Sequence, residues 1–197
     1  MTSYSQYGED VHIVEAVRSV DCKRLLDIGA WNAKQLSNSR ALIEAGWEAV
    51  LVEPSPGPLA GLVRDYAGAK NVTIIGALIG FSNTMQLLQA TDDAVSTTEE
   101  SVSNVWRKDG GYYGQFYAPT ITLGDIFNQF GGGFEFVNID AEGVSVNLFM
   151  EFMRLNVKPK CFCVEHDGRI VEIVQHAQTS GYRQIHLNGT NVIFERV

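Results

Sequence analysis

No stretch of this sequence approaches the ~20 consecutive apolar residues that a bilayer-spanning helix needs. The opening ten residues, Met1 to Asp10, are polar and lack the apolar segment of a secretory leader, so the chain reads as cytoplasmic. Cysteine is scarce, with only Cys22, Cys161 and Cys163. An odd count argues against a disulfide framework. Cys161 and Cys163 lie two apart in an apolar stretch, where neighbours on one strand face are poorly placed to pair; they are expected to be core thiols. Positive charge is also short: 15 Lys and Arg stand against 23 Asp and Glu, a net charge of −8. Such a chain lacks the basic footprint that neutralises phosphates, so neither nucleic acid nor an anionic membrane is an expected partner. Internal repeats and low-complexity tracts are absent too. What remains is a chain of 197 residues, a length that fits one domain with a substantial core.

Strand and helix patterns alternate, which signals an α/β fold. Gly8 to Ser19 places Val11, Val14, Ala16 and Val17 at helical spacing. Arg24 to Ile28 is a short apolar run ending in Gly29, and Ala49 to Val52 is a second, closed by Glu53-Pro54. Helices are predicted at Gln35 to Ala45 and Leu59 to Ala67, with a third strand at Val72 to Ile79. Between Phe81 and Thr122 only Met85 to Gln89 reads as a strand; a Ser/Thr-rich stretch and Gly110-Gly111 follow. Regularity resumes with a helix at Ile121 to Phe130, a strand at Phe134 to Ile139 and a helix at Val144 to Leu155. The strand Cys161 to Val164 and the helix Ile170 to Ser180 come next. Two last strands flank Asn188-Gly189, a strong hairpin signal. The expected fold is therefore a Rossmann-like, mostly parallel sheet between helices, ending in an antiparallel hairpin, in a single domain over residues 1–197.

Sheets of this kind bind ligands beyond the carboxyl ends of their strands, which directs attention to Asp27, Glu53, Asp140, Glu165 and His166. Glu53 ends the second strand 24 residues after Gly29. A carboxylate so placed can accept hydrogen bonds from both ribose hydroxyls, so the pair points to a nucleoside pocket. A dinucleotide fingerprint starting at Gly29 would need glycine at positions 31 and 34, where this chain has Trp31 and Lys34. Tryptophan blocks the close backbone approach that a pyrophosphate requires. That disfavours NAD and FAD and leaves S-adenosyl-L-methionine (SAM), which carries no phosphate.

Five segments together carry a family resemblance. Ser5-Gln6-Tyr7-Gly8-Glu9-Asp10, Leu26-Asp27-Ile28-Gly29-Ala30, Gly46-Trp47 with Val52-Glu53-Pro54-Ser55, Ile139-Asp140-Ala141-Glu142-Gly143 and Val164-Glu165-His166 occur in this order along the chain. The sequence resembles the FkbM-type family of class I SAM-dependent methyltransferases. It departs from that pattern after Ala30, where many members carry Asn-Asp-Gly and this chain has Trp31-Asn32-Ala33, with Ser37-Asn38 a weaker later match. The resemblance implies that Glu53, with Pro54 and Ser55, holds the ribose. It implies that Gly29 and Ala30 approach the amino-acid portion, that Gln6 and Tyr7 cover the cofactor, that Ala77 lies near the adenine edge, and that Asp27 and Asp140 are further cofactor-binding residues.

The strands ending at Asp140 and Glu165 are expected to be neighbours, about 4.8 Å apart. Two close carboxylates repel unless a proton or a cation lies between them. His166 follows directly, and oxygen-plus-imidazole ligation suits Mg or Mn. Family members with sugar substrates use a divalent metal at matching positions, so Asp140, Glu165 and His166 are the expected metal and catalytic set, with Asp167 a substitute ligand. The implied activity is SAM-dependent O-methyl transfer to a small-molecule or glycan hydroxyl. The aromatic stretch Val105 to Tyr117, holding Trp106, Tyr112, Tyr113, Phe116 and Tyr117, is weighed as a sugar-stacking lid against a plain surface loop. The alternatives are a non-catalytic SAM- or nucleoside-binding domain or a scaffold in a larger synthase, as a module of a longer chain, and, less favoured, a nucleotide-dependent oxidoreductase. Acceptor identity and homo-oligomer formation stay open.

Overall fold

The computed structural model describes residues 3–90, 94–108, 114–155 and 157–197. Its main element is a seven-stranded sheet of β1 (Arg24–Ile28), β2 (Glu48–Val52), β3 (Val72–Ile75), β7 (Phe136–Ile139), β8 (Cys161–Glu165), β9 (Tyr182–Leu187) and β10 (Asn191–Arg196), in the order β3-β2-β1-β7-β8-β10-β9. The central pairs are parallel, and β10 runs antiparallel to both β8 and β9. Parallel strands covered on both faces read as continuous apolar runs, which is why Leu25, Leu26 and Ile28 or Cys161 to Val164 alternate so little.

Helices cover the two faces. Against one lie α1 (Glu9–Ala16), α2 (Arg40–Glu44) and α3 (Pro56–Asp65), whose Ile13, Leu42, Ile43 and Leu62 meet Leu25, Phe136, Cys161 and Cys163. Against the other lie α5 (Leu123–Phe130), α6 (Ser145–Arg154) and α7 (Ile170–Thr179). There Phe149, Phe152, Phe162, Tyr182 and Phe194 interlock through stacked and edge contacts with centroids 5.2–5.4 Å apart. All three cysteines are free, and Cys161 and Cys163 are buried core thiols.

The chain leaves β1 toward β2 and β3, then returns to place β7 on β1's other side. The topological switch point therefore lies between β1 and β7, where such sheets open a crevice.

Four segments differ from the sequence reading. The helix expected over Gln35 to Ala45 shrinks to α2, because Leu36 is left-handed (φ 54°) and the side chains of Ser37 and Ser39 bond locally. The strand expected over Val72 to Ile79 divides at Gly76-Ala77 into β3 and β4 (Leu78–Gly80), which belongs to another sheet. That second sheet, β4-β6-β5, contains β5 (Thr84–Ala90) and β6 (Gly114–Thr122), and β6 takes the start of the expected Ile121 helix. The Ser/Thr-rich stretch leads into a helix, α4 (Glu100–Lys108). Phe116 and Tyr117 are thereby strand residues paired with Leu88 and Leu87, not part of a lid loop. Gly110, Gly111, Tyr112 and Tyr113 lie outside the described residues. No helix among the described residues is long and apolar enough to cross a membrane.

Candidate active site

The carboxyl ends of β1, β2, β7 and β8 border a cleft of about 610 Å³, walled on its far side by the β4-β6-β5 sheet and residues 94–99. That volume suits a ligand of nucleoside size. Every residue expected from the sequence to bind cofactor or metal lines this cleft except Tyr7, which is 57% exposed. Gln6 is thus the part of that N-terminal pair that reaches the cleft, while Tyr7 contributes its backbone N–H to Glu9 Oε2 at 2.8 Å.

At the switch point Gly29 has φ 82°, and a Cβ there would lie 1.7 Å from the Asp140 carbonyl oxygen. Only glycine lets β1's turn and β7's end approach so closely. Trp31 (φ 34°), Leu36 (φ 54°) and Asp167 (φ 48°) are the non-glycine residues with left-handed backbone among those described, and all three line the cleft. Strained backbone concentrates at functional sites because only a packed surround sustains it.

Glu53 is buried at the end of β2. Its Oε1 accepts the Ser55 N–H at 2.7 Å and its Oε2 the Trp31 N–H at 2.9 Å. Burial raises its pKa and the neighbouring Asp27 adds to this, against the lowering by those backbone donors. Each oxygen keeps a lone pair for a further donor.

Asp140, Glu142 and Glu165 bring carboxylate oxygens within 4.8 Å of one another, and all three are partly buried. Burial first, and repulsion from a neighbouring carboxylate second (Asp27 for Asp140, Asp140 for Glu142 and Glu165), raise their pKa values well above the usual carboxylate range, to about 7 for Asp140, about 8 for Glu142 and about 10 for Glu165. Ser145 Oγ donates to Glu165 Oε2 at 3.3 Å and accepts the Ala141 N–H at 2.8 Å, fixing both sides of the cluster. Thr97 Oγ1 grips the Glu142 carbonyl at 2.7 Å from the far wall.

His166 is not in that cluster. Its Nδ1 accepts the Gly168 N–H at 3.1 Å, so Nε2 carries the hydrogen donated to the Asn188 carbonyl at 3.2 Å. With both ring nitrogens engaged, the imidazole anchors the β9-β10 turn, and Glu142 supplies the third carboxylate that sequence reasoning had assigned no role. Glu142 was visible within Asp140-Ala141-Glu142-Gly143, but its loop had to fold back before its proximity to Glu165 could be known. Asp167 accepts the backbone N–H groups of Gly143 and Val146 at the start of α6 and is not among the three clustered carboxylates.

Glu9 closes the site from the N-terminal side. Though buried, its carboxylate accepts from Asn188 Nδ2 at 2.8 Å and Asn191 Nδ2 at 2.9 Å. Burial alone would raise its pKa, but the bonds from Asn191, Tyr7 and Asn188 outweigh it and hold the carboxyl below its ordinary range. Glu9→Ala strands these buried donors and is expected to cost about 1–3 kcal/mol of stability, read from urea unfolding. An unchanged midpoint would show that the latch between α1 and the terminal hairpin carries no load.

Across the whole cleft the charge has one sign. Asp27, Glu53, Glu99, Asp140, Glu142, Glu165 and Asp167 line it, and no lysine or arginine does among the described residues. The arrangement can hold cations and hydrogen-bond donors; it has no side-chain charge with which to hold a phosphate.

No protein-family model matches the sequence, and no curated protein matches it. Among solved structures the chain is similar to precorrin-6y C5,15-methyltransferase from Geobacter metallireducens GS-15, at a TM-score of 0.53 and 12% identity, over 99% of this chain and 91% of that one. At that identity the likeness concerns architecture. The chain thus has the α/β, Rossmann-like methyltransferase fold, with its C-terminal antiparallel hairpin.

Proposed function

We propose that the protein is a SAM-dependent O-methyltransferase of the FkbM type, acting on a hydroxyl of a sugar or glycan, with a divalent ion such as Mg or Mn at the Asp140-Glu142-Glu165 cluster. The observation that carries this reading is the cleft's carboxylate lining with no lysine or arginine among the described residues, opening at the switch point beside Glu53. A ligand bearing positive charge and a ribose fits that lining; a pyrophosphate does not.

The residues divide the work. Glu53 is placed to accept from the ribose hydroxyls. Gly29 and Ala30, whose N–H groups both bond the Val52 carbonyl, give the turn that lets a ligand approach the β1 backbone. Bound SAM supplies a methyl group on a positively charged sulfonium. Three carboxylates at this separation fit a hard cation, which when bound supplies charge that acidifies and orients a hydroxyl. Of the three, Asp140 has its proton affinity nearest neutrality, which suits it to take the hydroxyl proton as the methyl moves.

Isothermal titration tests the cofactor assignment: S-adenosylhomocysteine is expected to bind and NAD is not, and the reverse result overturns it. A tritiated-methyl transfer assay over glycan acceptors, with and without EDTA, tests the reaction and its ion.

The cluster also sets a pH dependence. These carboxyls bind protons more tightly folded than unfolded, so their contribution to stability is full below about pH 4 and is lost as pH rises through their folded values. In EDTA the melting temperature is therefore expected to fall as pH rises from about 4 to about 10, the interval between their unfolded and folded values. Manganese should raise it, more at the alkaline end, because the ion competes with protons. Glu142→Gln should flatten both trends; a melting temperature indifferent to manganese at high pH would remove the ion from the proposal.

A further inference from the structure

Beneath the cleft a line of polar side chains crosses the strands. Asp27 on β1 pairs in register with Asn138 on β7, and Asn138 with Cys163 on β8. Asn38, just before α2, packs over them. Each of these residues is buried, Asn38 being 5% exposed.

The hydrogen bonds in this line run in one direction. Asp27 Oδ2 accepts from Ser39 Oγ at 2.5 Å, and Asp27 Oδ1 accepts from Asn138 Nδ2 at 2.8 Å. Asn138 must then present its oxygen on the other side, where it accepts from Asn38 Nδ2 at 3.1 Å. Asn38 Nδ2 also reaches Cys163 Sγ at 3.5 Å. Turning the Asn38 amide over would set its oxygen against the Asn138 oxygen, so the carboxylate at one end fixes the amide at the other. The outcome is that Asn38 Oδ1, on the amide edge facing away from Asn138, is buried and has no hydrogen-bond partner. A buried carbonyl oxygen left bare costs about 1–3 kcal/mol, and such an atom in a cleft-lining residue marks a place for a donor.

We propose that Asn38 is a cofactor-binding residue whose Oδ1 accepts a hydrogen bond from the α-ammonium group of SAM, with Asn138 and Asp27 as positioning residues that hold its oxygen outward. The inference rests on the SAM reading. An ammonium fits better than a neutral donor because Asp27 and Asp140 also line the cleft and, among the described residues, no lysine or arginine there competes. It also supplies a contact for the amino-acid end in the loop where Trp31-Asn32-Ala33 departs from the family pattern. No bond is made or broken; the proton stays on the ammonium nitrogen.

The test uses three ligands and two variants, followed by isothermal titration. S-adenosylhomocysteine carries the ammonium, its deamino analogue lacks it, and 5′-methylthioadenosine lacks the whole amino-acid end. Wild-type protein is expected to bind S-adenosylhomocysteine about tenfold or more tightly than the deamino analogue, the scale of one hydrogen bond to a charged group. In Asn38→Ala that preference should vanish while 5′-methylthioadenosine binds as before. Asn38→Ser keeps a donor for Asn138 but offers no outward amide oxygen; it should behave like the alanine variant and covers the case in which alanine unfolds the loop. A preference retained in either folded variant overturns the assignment. Affinity for 5′-methylthioadenosine falling in parallel would also overturn it, revealing a merely structural role. Failure of wild-type protein to bind any of the three would instead bring down the SAM reading, and this inference with it.

Discussion

Asp140→Asn should lower methyl transfer by about 10²–10⁴-fold, the usual contribution of a positioned acid or base. The substitution preserves shape at a crowded point: the Asp140 N–H bonds the Ile28 carbonyl at 2.9 Å and its carbonyl abuts Gly29. The backbone frame that receives the cofactor is thereby kept, so S-adenosylhomocysteine affinity should hardly change. What is lost is the carboxylate beside Glu165 whose own proton affinity lies near neutrality. Manganese affinity, measured by electron paramagnetic resonance, should fall together with turnover. Full turnover in this variant would remove Asp140 from the reaction, and full turnover with weak manganese binding would assign it to the ion alone.

Glu53→Ala should act at the opposite end of the cleft and on binding. A hydrogen bond to a charged group contributes about 1.5–3 kcal/mol, so losing the ribose anchor should weaken S-adenosylhomocysteine about 10- to 150-fold. The same carboxylate holds the Trp31 and Ser55 N–H groups, so the left-handed turn at Trp31 loses its tether as well. Glu53→Gln, which keeps one acceptor oxygen, should fall between. Because burial raises this carboxyl's pKa, wild-type affinity should also decline as the buffer is acidified toward the group's titration, and the alanine variant should lack that decline. Equal affinities in the wild-type and alanine proteins would place the ribose elsewhere.

The parts of this site legible in the sequence are those that a buried parallel strand delivers by itself. Apolar runs such as Leu25 to Ile28 and Ala49 to Val52 must stop where the sheet ends, and the first polar residue beyond each run marks the rim. Asp140, Glu53 and Glu165 were found by that rule, and the structure gathers them along one edge. What escaped depends on side chains meeting from distant segments. The engagement of both His166 nitrogens depends on a carbonyl in the terminal hairpin, 22 residues away. The direction of the Asn38 amide is set by Asp27 through Asn138, 100 residues further along the chain. The second sheet was missed because β6 carries Gly114 and Pro119 and exposes one side, so Gln115 to Thr122 lacks the apolar run that identified the central strands. The shortened α2 reflects competition for its first turn: the Ser37 hydroxyl accepts the Arg40 N–H that a helix would otherwise engage, while the Ser39 hydroxyl donates to Asp27 on β1.

The β4-β6-β5 sheet enters the chain between β3 and α5, and its β4 and β5 face the cleft. Under the proposed function such an inserted wall divides the protein's labour: the seven-stranded frame would keep the methyl donor, and a separately encoded segment would decide which molecule lies opposite it. Exchange of residues 78–122 for the corresponding segment of a methyltransferase of this fold would then redirect the acceptor while the donor side is inherited intact.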